Sequence, residues 1–221
     1  MPAAHRTRIK ICGLTREQDV DAAVEAGADA LGFNLYPKSP RYITVERAAE
    51  LARRLPPFVT PVLLFVNAGA AAVQAAAARI PNALLQFHGD ETPADCAAAA
   101  QGRPFLRAAR IPLGDEGADF DLVKYALDYS HAQAILLDAH VDGYGGGGKA
   151  FHWSLLRPSA GSPLVLSGGL TPANVTDGIR QLRPWAVDVS SGVEAAKGIK
   201  DPERIQRFVA AVRAADAAQP A

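Results

Sequence analysis

Cysteine is scarce in this chain of 221 residues: Cys12 and Cys96 are far apart, and neither forms a Cys-x-x-Cys pair. That pattern excludes a disulfide-stapled scaffold and a thiolate zinc site, and it suits a reducing compartment. An excess of charge of one sign is also lacking. Lys and Arg total 23, Asp and Glu total 23, and the formal net charge is zero, so no overall field marks a nucleic acid or an anionic membrane as partner. Long hydrophobic runs are absent, since nothing approaches the ~20 apolar residues that span a bilayer. The opening MPAAHRTR leads into the first apolar run with no signal segment. A cytoplasmic protein is expected, in which the sequon Asn174-Val175-Thr176 carries no meaning. Any ligand then has to be recognised locally.

What is present is a repeated alternation of short β-branched or apolar runs with helical patterns. Strands are expected from Arg8 to Cys12, Asp29 to Asn34, Pro61 to Val66, Ala83 to His88, Pro104 to Ala109, Ala134 to Asp138, Pro163 to Leu166 and Ala186 to Val189. Helices are expected from Arg16 to Gly27, Thr44 to Leu55, Ala68 to Ile80, Thr92 to Ala100, Phe120 to Leu127, Trp153 to Arg157, Ala173 to Leu182 and Asp201 to Ala214. Thr15, Thr171 and Asp201 read as caps, the last two followed by proline at the first helical position. The connections are too short for neighbouring strands to return antiparallel, so the crossovers are parallel. Eight such units at a spacing of about 25 to 30 residues, in one domain covering 1–221, predict a closed (β/α)8 TIM barrel, with 215–221 a flexible tail.

In that architecture ligands sit at the carboxyl ends of the strands. Cys12 closes the first strand just before Gly13, and Asp138 closes the sixth. Each has a plain structural reading, a small packed hydrophobe for Cys12 and a loop cap for Asp138. Arg41, in the loop YPKSPRY, offers a guanidinium fork for a planar carboxylate or is a solvated loop cation. The loop DGYGGGGKAFHW holds more glycine than a turn needs and can wrap a phosphate with backbone N–H groups. Gly143 to Lys149 fits the first part of a nucleotide-binding P-loop, but Ala150 stands where Ser or Thr would ligate magnesium, so that reading is rejected. Gly168 and Gly169 after the seventh strand, and Ser190, Ser191 and Gly192 after the eighth, occupy the two loops that commonly build a phosphate site in this fold. A small phosphorylated ligand is the expectation.

The motifs KICGLT, LLDA followed by GGGGKAFHW, LSGGLTPANV and DVSSGVE resemble those of the phosphoribosylanthranilate isomerases of tryptophan biosynthesis, and together they cover essentially the whole chain. The resemblance implies an Amadori rearrangement of N-(5'-phosphoribosyl)anthranilate to 1-(2-carboxyphenylamino)-1-deoxyribulose 5-phosphate, with no metal or organic cofactor. It implies Asp138 as general acid for opening the ribose ring and Cys12 as general base for the C2 proton. Arg41 matches the family's arginine near the anthranilate ring and carboxylate. Asp188 resembles a group that orients a sugar hydroxyl or the anthranilate, with packing or capping as its structural alternative. His88 and Gln86, two residues apart at the end of the fourth strand, face the site or serve as satisfied polar groups in the mouth. Gly148, Gly168, Gly169, Ser191 and Gly192 are the expected phosphate contacts, mainly through backbone N–H groups. Cys96 is expected to be merely packed.

Neighbouring chemistries fit less well. A metal-dependent pentose-phosphate epimerase would need His-x-Asp where the second strand ends in GFN. An indoleglycerol-phosphate synthase would need a catalytic lysine at a strand end, whereas Lys10 lies inside the first strand on the face of Cys12. A non-catalytic sugar-phosphate sensor would have lost the acid or the base. An isomerase shared with the histidine pathway would use two aspartates. The expected partner is a small-molecule phosphosugar, with the chain a monomer or a homodimer.

Overall fold

The computed structural model describes residues 6–112, 120–139 and 161–218. Eight parallel strands close a barrel in chain order: β1 (Arg8–Cys12), β2 (Ala30–Asn34), β3 (Thr60–Phe65), β4 (Leu84–Phe87), β5 (Phe105–Ile111), β6 (Ala134–Ala139), β7 (Leu164–Leu166) and β8 (Ala186–Val189). The described helices are α1 (Glu17–Glu25), α2 (Val45–Ala52), α3 (Ala70–Arg79), α4 (Pro93–Ala100), α5 (Leu122–Asp128), α6 (Val175–Leu182) and α7 (Pro202–Ala217). The helix expected from Trp153 to Arg157 lies outside the described residues.

The strands close because alternate side chains feed two separate cores. Ile9, Ile11, Leu31, Phe33, Leu63, Phe65, Leu85 and Phe87 point outward and are buried under the helices. Phe87 meets Phe105 edge to face, ring centroids 5.4 Å apart. Residues of the other parity, Leu106, Ala108, Ala134, Leu136, Val165 and Ala186, fill the barrel interior. A side-chain period of two therefore sends each strand's apolar set to both layers, and a slip by one residue would exchange them. At the amino-terminal mouth a cavity of about 510 Å³ remains, lined among others by Arg8, Lys10, Leu84, Leu106, Ala134 and Ala186.

Three local expectations are corrected. Thr15 does not cap α1: Arg16 is the capping residue, and the Thr15 hydroxyl donates instead to the Gly198 carbonyl, 2.8 Å away. Thr171 does not cap α6 either. Residues 172–174 form a turn, Asn174 precedes the first helical residue, and its Oδ1 accepts from the Thr171 N–H at 2.8 Å. The closing helix runs past Ala214 to Ala217, with Ala215 fully buried. Asp216 accepts from the Thr7 N–H at 3.0 Å and from its hydroxyl at 2.6 Å, so 215–217 are tied to the start of β1. Asp201 does cap α7, accepting from Glu203 and Arg204 backbone N–H groups, with Pro202 following as expected. A two-stranded hairpin, β9 (Glu194–Ala196) and β10 (Ile199–Lys200), stands outside the barrel between β8 and α7. Among the described residues no helix is long and apolar enough to cross a membrane.

Candidate active site

The first side of the site follows from strand register. β1 and β8 align Lys10 opposite Asp188, and β1 and β2 align Cys12 opposite Gly32. Lys10 and Asp188 share the inward parity of Cys12, and Lys10 Nζ donates to Asp188 Oδ1 at 2.9 Å, with both side chains buried. Cys12 is 6% exposed. Burial pushes its thiol above the ordinary range, and the Lys10 ammonium pulls against that shift. Burial also draws Lys10 down, but the Asp188 carboxylate and Cys12 more than offset this and hold the ammonium charged.

Asp138, on β6, stands three strands away around the ring through β7 and β8. Its Oδ2 lies 2.8 Å from His88 Nε2, and His88 Nδ1 lies 3.0 Å from Gln86 Nε2. With the amide nitrogen donating to Nδ1, the imidazole carries its proton on Nε2 and presents it to Asp138. All three residues are buried. The turn that bears His88 is clamped by Arg107 on β5, which donates to the Phe87 carbonyl at 3.1 Å, to the Gly89 carbonyl at 3.0 Å and to Glu91 Oε2 at 3.0 Å.

The loop after β2 builds the place of Arg41 from local bonds. Asn34 Oδ1 accepts from the Tyr36 N–H at 2.9 Å, and Asn34 Nδ2 donates to Ser39 Oγ at 3.0 Å. Ser39 Oγ also accepts from the Arg41 N–H at 3.1 Å. Arg41 then crosses Gly13, where φ is +78° and where a β-carbon would overlap the Arg41 side chain. Arg41 is buried, so it is no solvated loop cation, and its fork is taken by the protein's own carboxylate, that of Glu194 on the hairpin: Nε to Oε1 at 2.6 Å and Nη2 to Oε2 at 2.7 Å. Lys200 Nζ joins the same carboxylate at 2.9 Å and donates to the Ser190 carbonyl at 3.0 Å. Burial alone would push Glu194 up, but Arg41 and Lys200 hold it below the usual carboxylate range. Glu194 and Lys200 are not among the site residues expected from the sequence.

The loops after β7 and β8 touch. Gly168 and Gly169 have φ of +77° and +67°, backbone that L side chains rarely adopt. Asn174 Nδ2 donates to the Gly169 carbonyl at 3.0 Å and fixes that turn. Residues Ser191–Val193 form a single 3-10 turn, and a β-carbon on Gly192 would overlap the Leu170 carbonyl oxygen. The Ser190 hydroxyl donates to the Cys12 carbonyl at 3.0 Å, so this side chain ties β8 to β1. Gly148 lies outside the described residues. Among the described residues no group of three or more His, Cys, Asp or Glu side chains is arranged to hold a metal ion. Cys96 is fully buried in α4.

The family model for N-(5'-phosphoribosyl)anthranilate isomerase matches residues 9–211. The N-(5'-phosphoribosyl)anthranilate isomerase of Methylibium petroleiphilum is 66% identical over 212 residues, covering 96% of both chains. The crystal structure of phosphoribosyl anthranilate isomerase from Thermotoga maritima is 41% identical and superposes with a TM-score of 0.84, over 94% of this chain and 99% of that one. A second isomerase structure, in complex with reduced 1-(o-carboxyphenylamino)-1-deoxyribulose 5-phosphate, is 39% identical with a TM-score of 0.80, at the same coverage. A (β/α)8 barrel of this length, with these loops at one mouth and these matches along its whole course, belongs to the N-(5'-phosphoribosyl)anthranilate isomerase family.

Proposed function

We propose that the protein catalyses the Amadori rearrangement of N-(5'-phosphoribosyl)anthranilate in tryptophan biosynthesis, with Asp138 as general acid and Cys12 as general base. The observation that carries this reading is spatial. A buried thiol ending β1 and a buried carboxyl near the end of β6 stand on the rim where the loops after β7 and β8 meet. Asp138 delivers a proton to the ribose ring oxygen as the C1–O bond breaks and the anilino nitrogen becomes an iminium. The hydrogen bond with His88 keeps its carboxyl oriented. The iminium acidifies the C2 proton, which Cys12 removes to give an enolamine, and tautomerisation yields the ketose. An ordinary thiol of pKa about 8.5 is only a few per cent thiolate at neutral pH, so Cys12 works as base only to the extent that nearby cations favour its charged form.

Arg41, already held by Glu194, presents a guanidinium edge for the anthranilate end, and Asp188 orients a sugar hydroxyl or the anthranilate. Backbone N–H groups of Gly168, Gly169, Ser191 and Gly192, with Gly148, take the phosphate. The balanced charge supports a free small-molecule phosphosugar in the cytoplasm as the working partner, met by a monomer or a homodimer. The experiment is the decay of anthranilate-type fluorescence when freshly generated substrate meets the enzyme. Cys12→Ala and Asp138→Asn are each expected to lower kcat by about 10²- to 10⁴-fold. Either variant turning over near the wild-type rate would remove that residue from the chemistry.

A further inference from the structure

We propose that Lys10 is a positioning residue that favours the thiolate of Cys12 against the effect of burial, with Asp188 holding the Lys10 ammonium in place; this rests on the reading of Cys12 as the base. The geometry starts from a missing side chain. A β-carbon built on Gly32 would lie 2.7 Å from Cys12 Sγ and 3.2 Å from Lys10 Nζ, so sulfur and ammonium line the same small space. Lys10 has three N–H donors, of which Asp188 takes one at 2.9 Å. The groups charged or titratable around the sulfur come from four elements: Lys10 on β1, Asp188 on β8, Lys200 on β10 and Arg41 in the loop after β2. Arg41 and Lys200 both bond Glu194. Lys10 is bound to a different carboxylate and shares its space with the thiol.

A buried ion pair is weak evidence for stability, because well-packed apolar residues often serve as well in its place. The Lys10–Asp188 pair sits in the interior layer directly below the end of β1, where its cation has a use. Burial pushes the Cys12 thiol up and Asp188 adds to that, while Lys10 and Lys200 act in the opposite direction. Asp188 therefore has two effects: it repels the thiolate directly, and it secures the cation that favours it.

The test reads the thiolate without turnover. In a Cys96→Ala background, which leaves Cys12 as the single cysteine, the carbon-13 shift of the labelled Cys12 Cβ is followed against pH. The variants are Lys10→Met, Lys10→Arg and Lys10→Met with Asp188→Asn. The double variant removes both charges and leaves no unpaired buried carboxylate. We expect the double variant to titrate at least about one pH unit higher, a roughly tenfold smaller thiolate fraction at neutral pH. The acid limb of kcat/KM should move up in parallel, and Lys10→Arg should stay near the wild type. A double variant that titrates with the wild type overturns the proposal. So does a shift seen in Lys10→Met that vanishes in the double variant, since the freed Asp188 carboxylate alone would then be its cause. An active Cys12→Ala enzyme would instead sink the reading of Cys12 as base, which the titration does not depend on.

Discussion

Gly192 occupies the point where the two candidate phosphate loops press together, with room for hydrogen and none for a methyl group against the Leu170 carbonyl. Gly192→Ala is expected to part the loops and misalign the N–H groups proposed to hold the phosphate. Losing one charge-assisted hydrogen bond costs about 1.5–3 kcal/mol, so KM for the phosphosugar should rise roughly ten- to a hundredfold while kcat changes less. Steady-state kinetics check this, and an unchanged KM would remove the loop from phosphate binding. At this scale the sequence points to residues at or near the ends of strands. Cys12 and Asp138 could be singled out because strand ends are ligand sites in this fold, and His88 with Gln86 because alternation gave them one face. It was silent where the partner is distant. The carboxylate that Arg41 grips is 153 positions away, and no local pattern around Glu194 announces it.

The elements were legible for a related reason: each strand supplies apolar residues to two layers and each helix has one buried stripe, so periodicity and burial agree. Helix starts were less legible. Threonine before a helical stretch satisfies the cap rule at Thr44 and Thr92, each of which accepts a backbone N–H from the first turn. At Thr15 and Thr171 the hydroxyl serves another bond and the helix begins later. The β9–β10 hairpin is too short to show a period, yet it carries Glu194, which grips Arg41, and Lys200, which joins the same carboxylate. Asp201 accepts two first-turn N–H groups, so Asp201→Ala should destabilise α7 by about 1 kcal/mol. That lowers Tm by roughly 2–4 °C for a chain of this size, read by calorimetry. Because α7 also anchors Thr7 through Asp216, the loss should appear in global unfolding, with no separate early transition.

Across the whole molecule, the hairpin and the loop after β2 are locked by one buried anion, and this makes stability depend on acid. Glu194 has a folded-state pKa below its ordinary value, so its stabilising contribution is full above the usual carboxylate range near 4.5 and is lost as pH falls through the lowered value. Glu194→Gln leaves Arg41 and Lys200 buried without their counter-charge, at a cost of about 3–5 kcal/mol near neutrality. The gap between wild type and variant should narrow as pH drops below about 4.5, measured by denaturant unfolding at several pH values. A gap independent of pH would mean that the carboxylate is not what the two cations need. The opposite mouth is built on other terms. The 510 Å³ cavity there is lined by Ala30, Val62, Ala134 and Ala186 among others, residues at the amino-terminal halves of their strands. Ala186→Val is expected to raise stability by roughly 0.5–2 kcal/mol with unchanged kcat and KM. One pole of the barrel can thus drift toward heat tolerance while the other stays under selection for its reaction, and adaptation to a new temperature need not retune the enzyme.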